Sequence, residues 1–213
     1  MAQKGMLGTL PLSKILGPVS SLVEAIASER GEEVLEELKR FNRREPCWGP
    51  KPADSDFLIL AGEYPAVKLT KNHYPREFYQ KRTGLVVYSG FDDQIVAVAE
   101  PSNAGKKFQK APYWELKKHA TGRMLLQSHT DDVWSATDFC AWLSIMLAKQ
   151  SKGQDGSLLN NGKANLFLVK GSDYKVFVVH VDWYSDDRKW YVDAWYLDDV
   201  WRAGRRFFST DSL

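Results

Sequence analysis

Three side chains in the second half of the sequence could together form a nucleophilic site: Cys140, His180 and Asp193. An imidazole can deprotonate a thiol, and a carboxylate that holds the imidazole fixes its tautomer and orientation. Asn165 is predicted on the strand beside His180 and would add a fourth polar group. The residue types therefore admit a thiol enzyme that uses these four side chains.

The order of these residues resembles that of papain-like and transglutaminase-like enzymes, in which a helix cysteine precedes a histidine and a carboxylate on adjacent antiparallel strands. Cys140, however, falls in the second turn of its predicted helix, whereas a helix start would stabilise a thiolate. The neighbouring sequence also lacks the glycine-rich approach of those enzymes. A cysteine buried in a hydrophobic core is the competing interpretation, so the thiol enzyme is an alternative and not the preferred function.

A second set of residues could hold single-stranded nucleic acid, because aromatic rings interleaved with arginines form stacking platforms for bases. This set is Trp201, Arg202, Arg205, Arg206 and Phe208. Between positions 174 and 208, however, six acidic residues balance six basic ones. Because affinity for phosphate depends on unopposed positive charge, nucleic acid is a less favoured partner.

The sequence patterns predict no metal and no cofactor. His119 and His129 accompany Asp131 and Asp132, but this spacing matches no compact zinc or two-metal pattern. The stretch 156–163 resembles a phosphate-binding loop, yet it has five residues between its glycines where four are needed. We interpret that stretch as a turn that leads into a strand.

The aromatic last third of the chain must position these groups. Between 164 and 208 its pattern predicts three antiparallel strands, and a tight turn after Tyr184 sets Trp183 opposite Trp190 on a buried face. The same register places two polar residues opposite each other on the other face, namely His180 and Asp193. Further pairs on the buried face are Val181 with Val192 and Val179 with Ala194.

The first of these strands is aligned by a predicted two-residue turn at 172–173, which pairs Leu166 with Val179. One face of the sheet is then apolar. The other face collects the polar groups and one tryptophan: Asn165, His180, Asp193 and Trp195.

The preceding elements include one helix, predicted from Ala136 to Lys149 with Ser135 as its cap. Almost every position of this helix is apolar, which is typical of a buried helix. Short runs and turn residues predict the remaining strands. These are strands at 57–60 and 66–69, and a hairpin formed by 84–88 and 94–100.

The beginning of the chain has a different character. Apolar residues at helical spacing predict helix over 12–43, and Gly31 is expected to divide or weaken it. Prolines and a glycine then mark a boundary. The predicted domains are a helical module at 1–45, a linker at 46–56 and an α+β domain at 57–213.

Composition restricts the partners and the compartment. The chain has 213 residues and a net charge of +2, which does not indicate nucleic acid or an anionic membrane. No apolar run is long enough to span a bilayer, so we expect no membrane partner. Cys47 and Cys140 are far apart, and two free thiols favour a reducing cytoplasm.

Several segments are similar to a group of uncharacterised proteins from uncultured, small-genome candidate-phylum bacteria. The segments are Glu36–Trp48, Arg82–Phe91, Asn161–Phe167 and Arg205–Ser209. The resemblance implies a helical N-terminal piece fused to an α+β domain in a bacterial cytoplasm. It carries over no functional residue, because these motifs are structural in character.

Together these observations predict an α+β protein: an N-terminal helical module, then antiparallel hairpins around one buried helix, and a final three-stranded aromatic meander. The favoured function is a non-enzymatic binding or interaction domain with a protein or small-molecule partner. The thiol enzyme and the single-stranded nucleic-acid binder are its two alternatives.

Overall fold

The computed structural model describes residues 57–81, 83–129 and 133–210, together with single positions between 23 and 39. Backbone contacts divide the chain into Met1–Gly49 and Pro50–Leu213. In the first unit the described Ile26, Gly31 and Leu38 are helical. The predicted linker at 46–56 and Cys47 lie outside the described residues.

The second unit contains twelve strands and four α-helices among its described residues, which confirms the α+β class. The strands are β1 Leu58–Tyr64, β2 Val67–Lys68, β3 Leu85–Val87, β4 Lys107–Phe108, β5 Ala111–Leu116, β6 Ala120–Thr121, β7 Trp134–Ser135, β8 Asn165–Lys170, β9 Val176–Tyr184, β10 Lys189–Trp195, β11 Val200–Trp201 and β12 Arg206–Phe208. The helices are α1 Pro75–Lys81, α2 Ser89–Gln94, α3 Gly122–Ser128 and α4 Ala136–Lys149.

One large sheet organises this unit, with the strand order β1-β5-β12-β8-β9-β10-β3 and β7 added beside β8. The longer ladders, including β8–β9 and β9–β10, are antiparallel. Three short strands form parallel pairs, β12 and β7 with β8 and β3 with β10, while β12 also pairs antiparallel with β5. The last strand of the chain, β12, therefore inserts between β5 and β8 and does not extend the meander.

Helix α4 lies on one face of this sheet and has the predicted boundaries. Ser135 accepts a hydrogen bond from the amide of Asp138, as expected for an N-cap. The helix buries Phe139, Trp142 and Leu143 completely, and these side chains join a cluster that also contains Phe167 and Val179 of the sheet. We call this side of the sheet the helix-covered face.

The opposite side, the outer face, is covered over only part of its width. A second apolar cluster joins Leu166 and Val178 of the sheet to Leu125 of α3 and Trp201 of β11. Helix α3 approaches closely because Gly122 faces Val178, where a Cβ would overlap the valine side chain. The covering elements therefore pack on Val178 of β9 and, through Trp201, reach His180 two residues farther along the strand.

The predicted hairpin of 84–88 and 94–100 is wrong. Residues Leu85–Val87 form β3, but the chain then enters α2 and a 3-10 turn at Val96–Val98. Strand β3 pairs in parallel with β10 instead. The apolar residues after the turn serve the core, since Ile95 and Val96 are fully buried.

The predicted register of β8 is wrong by one residue. Leu166 lies opposite His180, and Asn165 lies opposite Val181. The connection runs through a 3-10 turn at Ser172–Tyr174 in which Asp173 and Tyr174 have positive φ. Because side chains alternate along a strand, this slip moves every β8 side chain to the other face.

Candidate functional site

The second aromatic hairpin has the register that the sequence predicts. Trp190 lies opposite Trp183, and Asp193 lies opposite His180. The indoles of Trp183 and Trp190 are 6% and 1% exposed and lie 5.3 Å apart between ring centroids. The indole nitrogen of Trp190 donates to the carbonyl oxygen of Gln150 at 2.7 Å. These two tryptophans are part of the helix-covered core.

Cys140 lies in the same core, on the side of the sheet opposite His180. Cys140 is fully buried in α4. Burial raises the pKa of its thiol well above the ordinary range, and the hydrogen bond with the Tyr79 side chain lowers this pKa by a smaller amount. The hydroxyl of Tyr79 donates to the backbone oxygen of Cys140 at 2.8 Å. The structure therefore does not bring together the thiol and the imidazole that the alternative function, a thiol enzyme, would need.

His180 belongs to the outer face, where its partner is Asp182 and not Asp193. Its Nδ1 lies 2.5 Å from Oδ2 of Asp182, and both side chains are mostly buried. A carboxylate only accepts, so Nδ1 carries the proton. The ring also contacts Trp195 and Trp201, at centroid distances of 5.0 and 5.4 Å. The Nε2 atom is buried without a hydrogen-bond partner among the described residues.

Asp193 uses both carboxylate oxygens on its own strand. One accepts from the amide of Ala194 at 2.8 Å, and the other accepts from the indole nitrogen of Trp195 at 2.9 Å. Gly90 lies against this carboxylate, and a Cβ there would lie 2.5 Å from Oδ1. Asp193 therefore orients Trp195 and does not serve the imidazole.

Asn165 is also absent from the outer face, because of the register of β8. Its side-chain oxygen accepts from the amide of Leu159 at 2.7 Å, and its nitrogen donates to the backbone oxygen of Val181 at 2.9 Å. The side chain is fully buried. Its role is to attach the segment before β8 to the sheet.

The residues of the expected nucleic-acid platform are separated. Trp201 and Phe208 are buried, so neither ring can stack on a base. Arg205 lies over Trp201 on the outer face, 5.7 Å from the ring centroid. Arg206 lies over Tyr113 and donates to the backbone oxygen of Ser157. Trp201 and Tyr113 belong to the apolar clusters on opposite sides of the sheet, so the two guanidinium groups do not serve one surface.

No group of three or more metal-binding side chains occurs among the described residues. His129 lies between the rings of Trp114 and Phe207, at 5.2 and 5.1 Å, and burial lowers its pKa. His119 is exposed. Asp131 and Asp132 lie outside the described residues.

Three tyrosines that the sequence analysis did not select lie together on the outer face, and we call them the tyrosine cluster: Tyr88, Tyr184 and Tyr191. The rings of Tyr184 and Tyr191 are 4.6 Å apart, and those of Tyr88 and Tyr191 are 6.0 Å apart. Tyr88 is 48% exposed and Tyr184 is 53% exposed. A signal existed in the sequence, because each of two inward tryptophans is followed by a tyrosine that must point outward.

The hydroxyl groups of the cluster differ in their partners. Tyr191 donates to the carboxylate of Asp187, and this bond raises the pKa of Tyr191 to about 12. The hydroxyls of Tyr88 and Tyr184 form no hydrogen bond with another described residue. Trp195, which is 42% exposed, lies two residues beyond Asp193 on the same face. The region offers aromatic area and two hydroxyl groups, those of Tyr88 and Tyr184, that have no hydrogen-bond partner among the described residues.

Comparison of the chain with protein-family models, with curated proteins and with solved structures gives no match. The similarity to candidate-phylum bacterial proteins therefore stays an expectation. Among the described residues no helix combines the length and the apolar character needed to cross a membrane.

Proposed function

We propose that this protein is a binding domain that holds a proline-rich peptide in the extended polyproline conformation across the tyrosine cluster. The observation that carries the proposal is the tyrosine cluster, in which Tyr88 and Tyr184 are exposed and Tyr191 is half-buried, on a sheet whose other face is closed. Grooves lined by aromatic rings are a recurrent way to bind such peptides, because the peptide is ordered before it binds.

The spacing of the rings supports this choice. The centroid distances of 4.6 and 6.0 Å and the interplanar angles of 58° and 37° leave the rings tilted against each other. Tilted neighbouring rings form shallow grooves that can take a proline ring. The hydroxyls of Tyr88 and Tyr184 can donate to peptide carbonyl oxygens, which a polyproline helix leaves without internal partners.

The charge of the surrounding surface favours a peptide over nucleic acid. The turn that connects β9 and β10 holds Asp186 and Asp187 beside Arg188, and Lys189 follows. These charges balance, so phosphate gains little attraction here. A proline-rich peptide needs no net charge, and tyrosine and tryptophan are enriched at protein interfaces.

His180, Asp182 and Asp193 have supporting roles in this proposal. The Asp182 carboxylate holds the imidazole of His180, whose ring contacts Trp195. Asp193 holds the indole nitrogen of Trp195. Together they fix the orientation of an exposed tryptophan at the end of the aromatic surface. We place this activity in a bacterial cytoplasm, which the resemblance and the widely spaced cysteines favour.

The test uses a fluorescein-labelled decaproline peptide and measures its binding by fluorescence anisotropy. Tyr184→Ala is expected to weaken binding at least about tenfold, since anchor residues of an interface contribute about 1–2 kcal/mol or more. Tyr174→Ala is the matched control, because Tyr174 is 84% exposed in the β8–β9 connection. Amide chemical shifts should change around Tyr88, Tyr184 and Tyr191.

Three results would overturn the proposal. The first is an absence of decaproline binding at about millimolar concentration. The second is equal weakening by Tyr174→Ala. The third is an oligothymidylate of similar length that binds to the tyrosine cluster while decaproline does not.

A further inference from the structure

A cleft of about 500 Å³ lies outside the sheet faces, between the C-terminal half of α4, the segment 69–73 and strand β2. Its volume is within the range of small-molecule sites, about 300–1,000 Å³. Apolar side chains form much of its surface: Val67, Leu69, Phe78, Ile145 and Ala148. We call it the lysine cleft, after the three lysines in its lining.

All charged side chains in that lining are lysines: Lys68, Lys71 and Lys149. None of the three forms an ion pair with a described carboxylate, whereas nearby Lys106 and Lys110 are paired with Asp138 and Glu63. The ammonium group of Lys149 lies 5.3 Å from the ring centroid of Tyr64. The protein therefore leaves three positive charges at this cleft without a negative partner in the described part of the chain.

The other polar groups of the lining are neutral. Burial lowers the pKa of His73 to about 4, so its imidazole is uncharged at neutral pH. The ring packs against Phe78 and Tyr79, and its Nε2 is buried without a hydrogen-bond partner among the described residues. The Ser144 hydroxyl donates to the backbone oxygen of Ala141 at 2.6 Å. No polar group in this lining offsets the lysine charges.

We propose that the lysine cleft binds a small amphiphilic anion, whose phosphate or carboxylate head contacts Lys68, Lys71 and Lys149 and whose apolar body lies on Phe78 and Ile145. A bare inorganic ion would leave the apolar walls in water, and a neutral apolar molecule would leave the lysines without a partner. Only a molecule that combines both parts satisfies the whole lining. The cleft is separate from the tyrosine cluster, so this site stands independently of peptide binding.

The experiment follows fluorescence of 8-anilinonaphthalene-1-sulfonate, an aromatic anion, and its displacement by octyl phosphate and by octanoate. The two displacing molecules share a body and differ in the head group, so they distinguish a phosphate from a carboxylate ligand. Lys71→Glu and Lys149→Glu are each expected to weaken the anions about tenfold, as the loss of one charge-assisted contact predicts. Lys117→Glu changes an exposed lysine outside the cleft and should have no effect.

A further variant, Ala148→Trp, tests the cavity without changing its charge. Ala148→Trp places an indole in the cleft from an exposed helix position and should abolish displacement, while a thermal melt verifies that the protein folds. Equal binding of the neutral analogue N-phenyl-1-naphthylamine would overturn the proposal. Unchanged affinity in Lys71→Glu and Lys149→Glu, or an equal loss of affinity in Lys117→Glu, would overturn it as well.

Discussion

Two pairs of aromatic residues lie next to each other on the same two strands, but one pair is buried in the core and the other lies at the surface. Trp183 and Trp190 lie on the helix-covered face and are buried, while their chain neighbours Tyr184 and Tyr191 lie on the outer face. Strand alternation separates the pairs, but alternation alone does not bury either one. The elements that pack on the sheet therefore determine which face of an aromatic strand becomes core and which becomes surface.

The outer face shows the same dependence on covering elements, because it is covered at one end and open at the other. Near Val178 it is covered by α3, and Trp201 of β11 is buried with it. Farther along β9 no described apolar element covers Tyr184. The mostly buried pair of His180 and Asp182 lies between these two regions. The outer face therefore changes from core to exposed surface along a single strand.

The largest effect should come from removing a tryptophan of the buried pair. Trp190→Ala is expected to lower the free energy of unfolding by about 3–5 kcal/mol, because it leaves a cavity and removes the bond to Gln150. Tyr184→Ala should change it by no more than about 0.5 kcal/mol, as an exposed side chain. Urea denaturation measures both. Equal shifts of the two midpoints would contradict the division of the hairpin into buried and exposed faces.

A smaller effect should appear in the pH dependence of the free energy of unfolding, because of the buried side chain of His73. The pKa of His73 is about 4 in the folded protein and has its ordinary value of 6.5 in the unfolded chain, so the unfolded chain binds the proton first as pH falls. Stability from this group is complete above pH 6.5 and decreases toward pH 4, by up to about 3 kcal/mol. His73→Phe keeps a ring against Phe78 and Tyr79 and cannot titrate.

The measurement compares the pH dependence of unfolding free energy in the wild-type protein and in His73→Phe. The two curves should run parallel above pH 6.5 and change their separation below it, with the variant losing less stability. Curves that stay parallel across the whole interval would show that His73 accepts a proton as readily in the folded state as in the unfolded state.

The smallest effect should come from the boundary between the covered and open parts of the outer face. Asp182→Asn keeps the shape of the side chain but removes its charge, so the bond to His180 weakens and stability falls by about 1 kcal/mol. Asp186→Asn in the exposed turn is the control and should stay within about 0.5 kcal/mol. A loss of stability no larger than that of the control would show that the bond between His180 and Asp182 does not stabilise the outer face.

The features predicted correctly depend on neighbouring residues. The tight turn after Tyr184 fixes the register of β9 and β10, so the positions of Trp183 and Trp190 follow from it. Helix α4 follows from its apolar run and from Ser135 at its start. In both cases the determining residues lie within a few positions of the element that they specify.

The features predicted incorrectly depend on distant residues. Gly171 lies against the backbone oxygen of Gln94, and Ser172 bonds to the Gln94 side chain, so the turn before β9 differs from a two-residue hairpin. Strand β3 pairs in parallel with a strand that lies about a hundred residues later in the chain. No local pattern encodes either contact.

The candidate sites show the same division between local and distant information. Local sequence was enough to predict the α+β class, the buried helix, the paired tryptophans and the position of His180 opposite Asp193, because alternation, capping and turn length are local properties. The tertiary structure alone decided that Cys140 and His180 lie on opposite sides of the sheet. It also decided that the tyrosine cluster stays at the surface, with Tyr88 and Tyr184 exposed, and that three lysines line one cleft, because the elements around these sites come from distant parts of the chain.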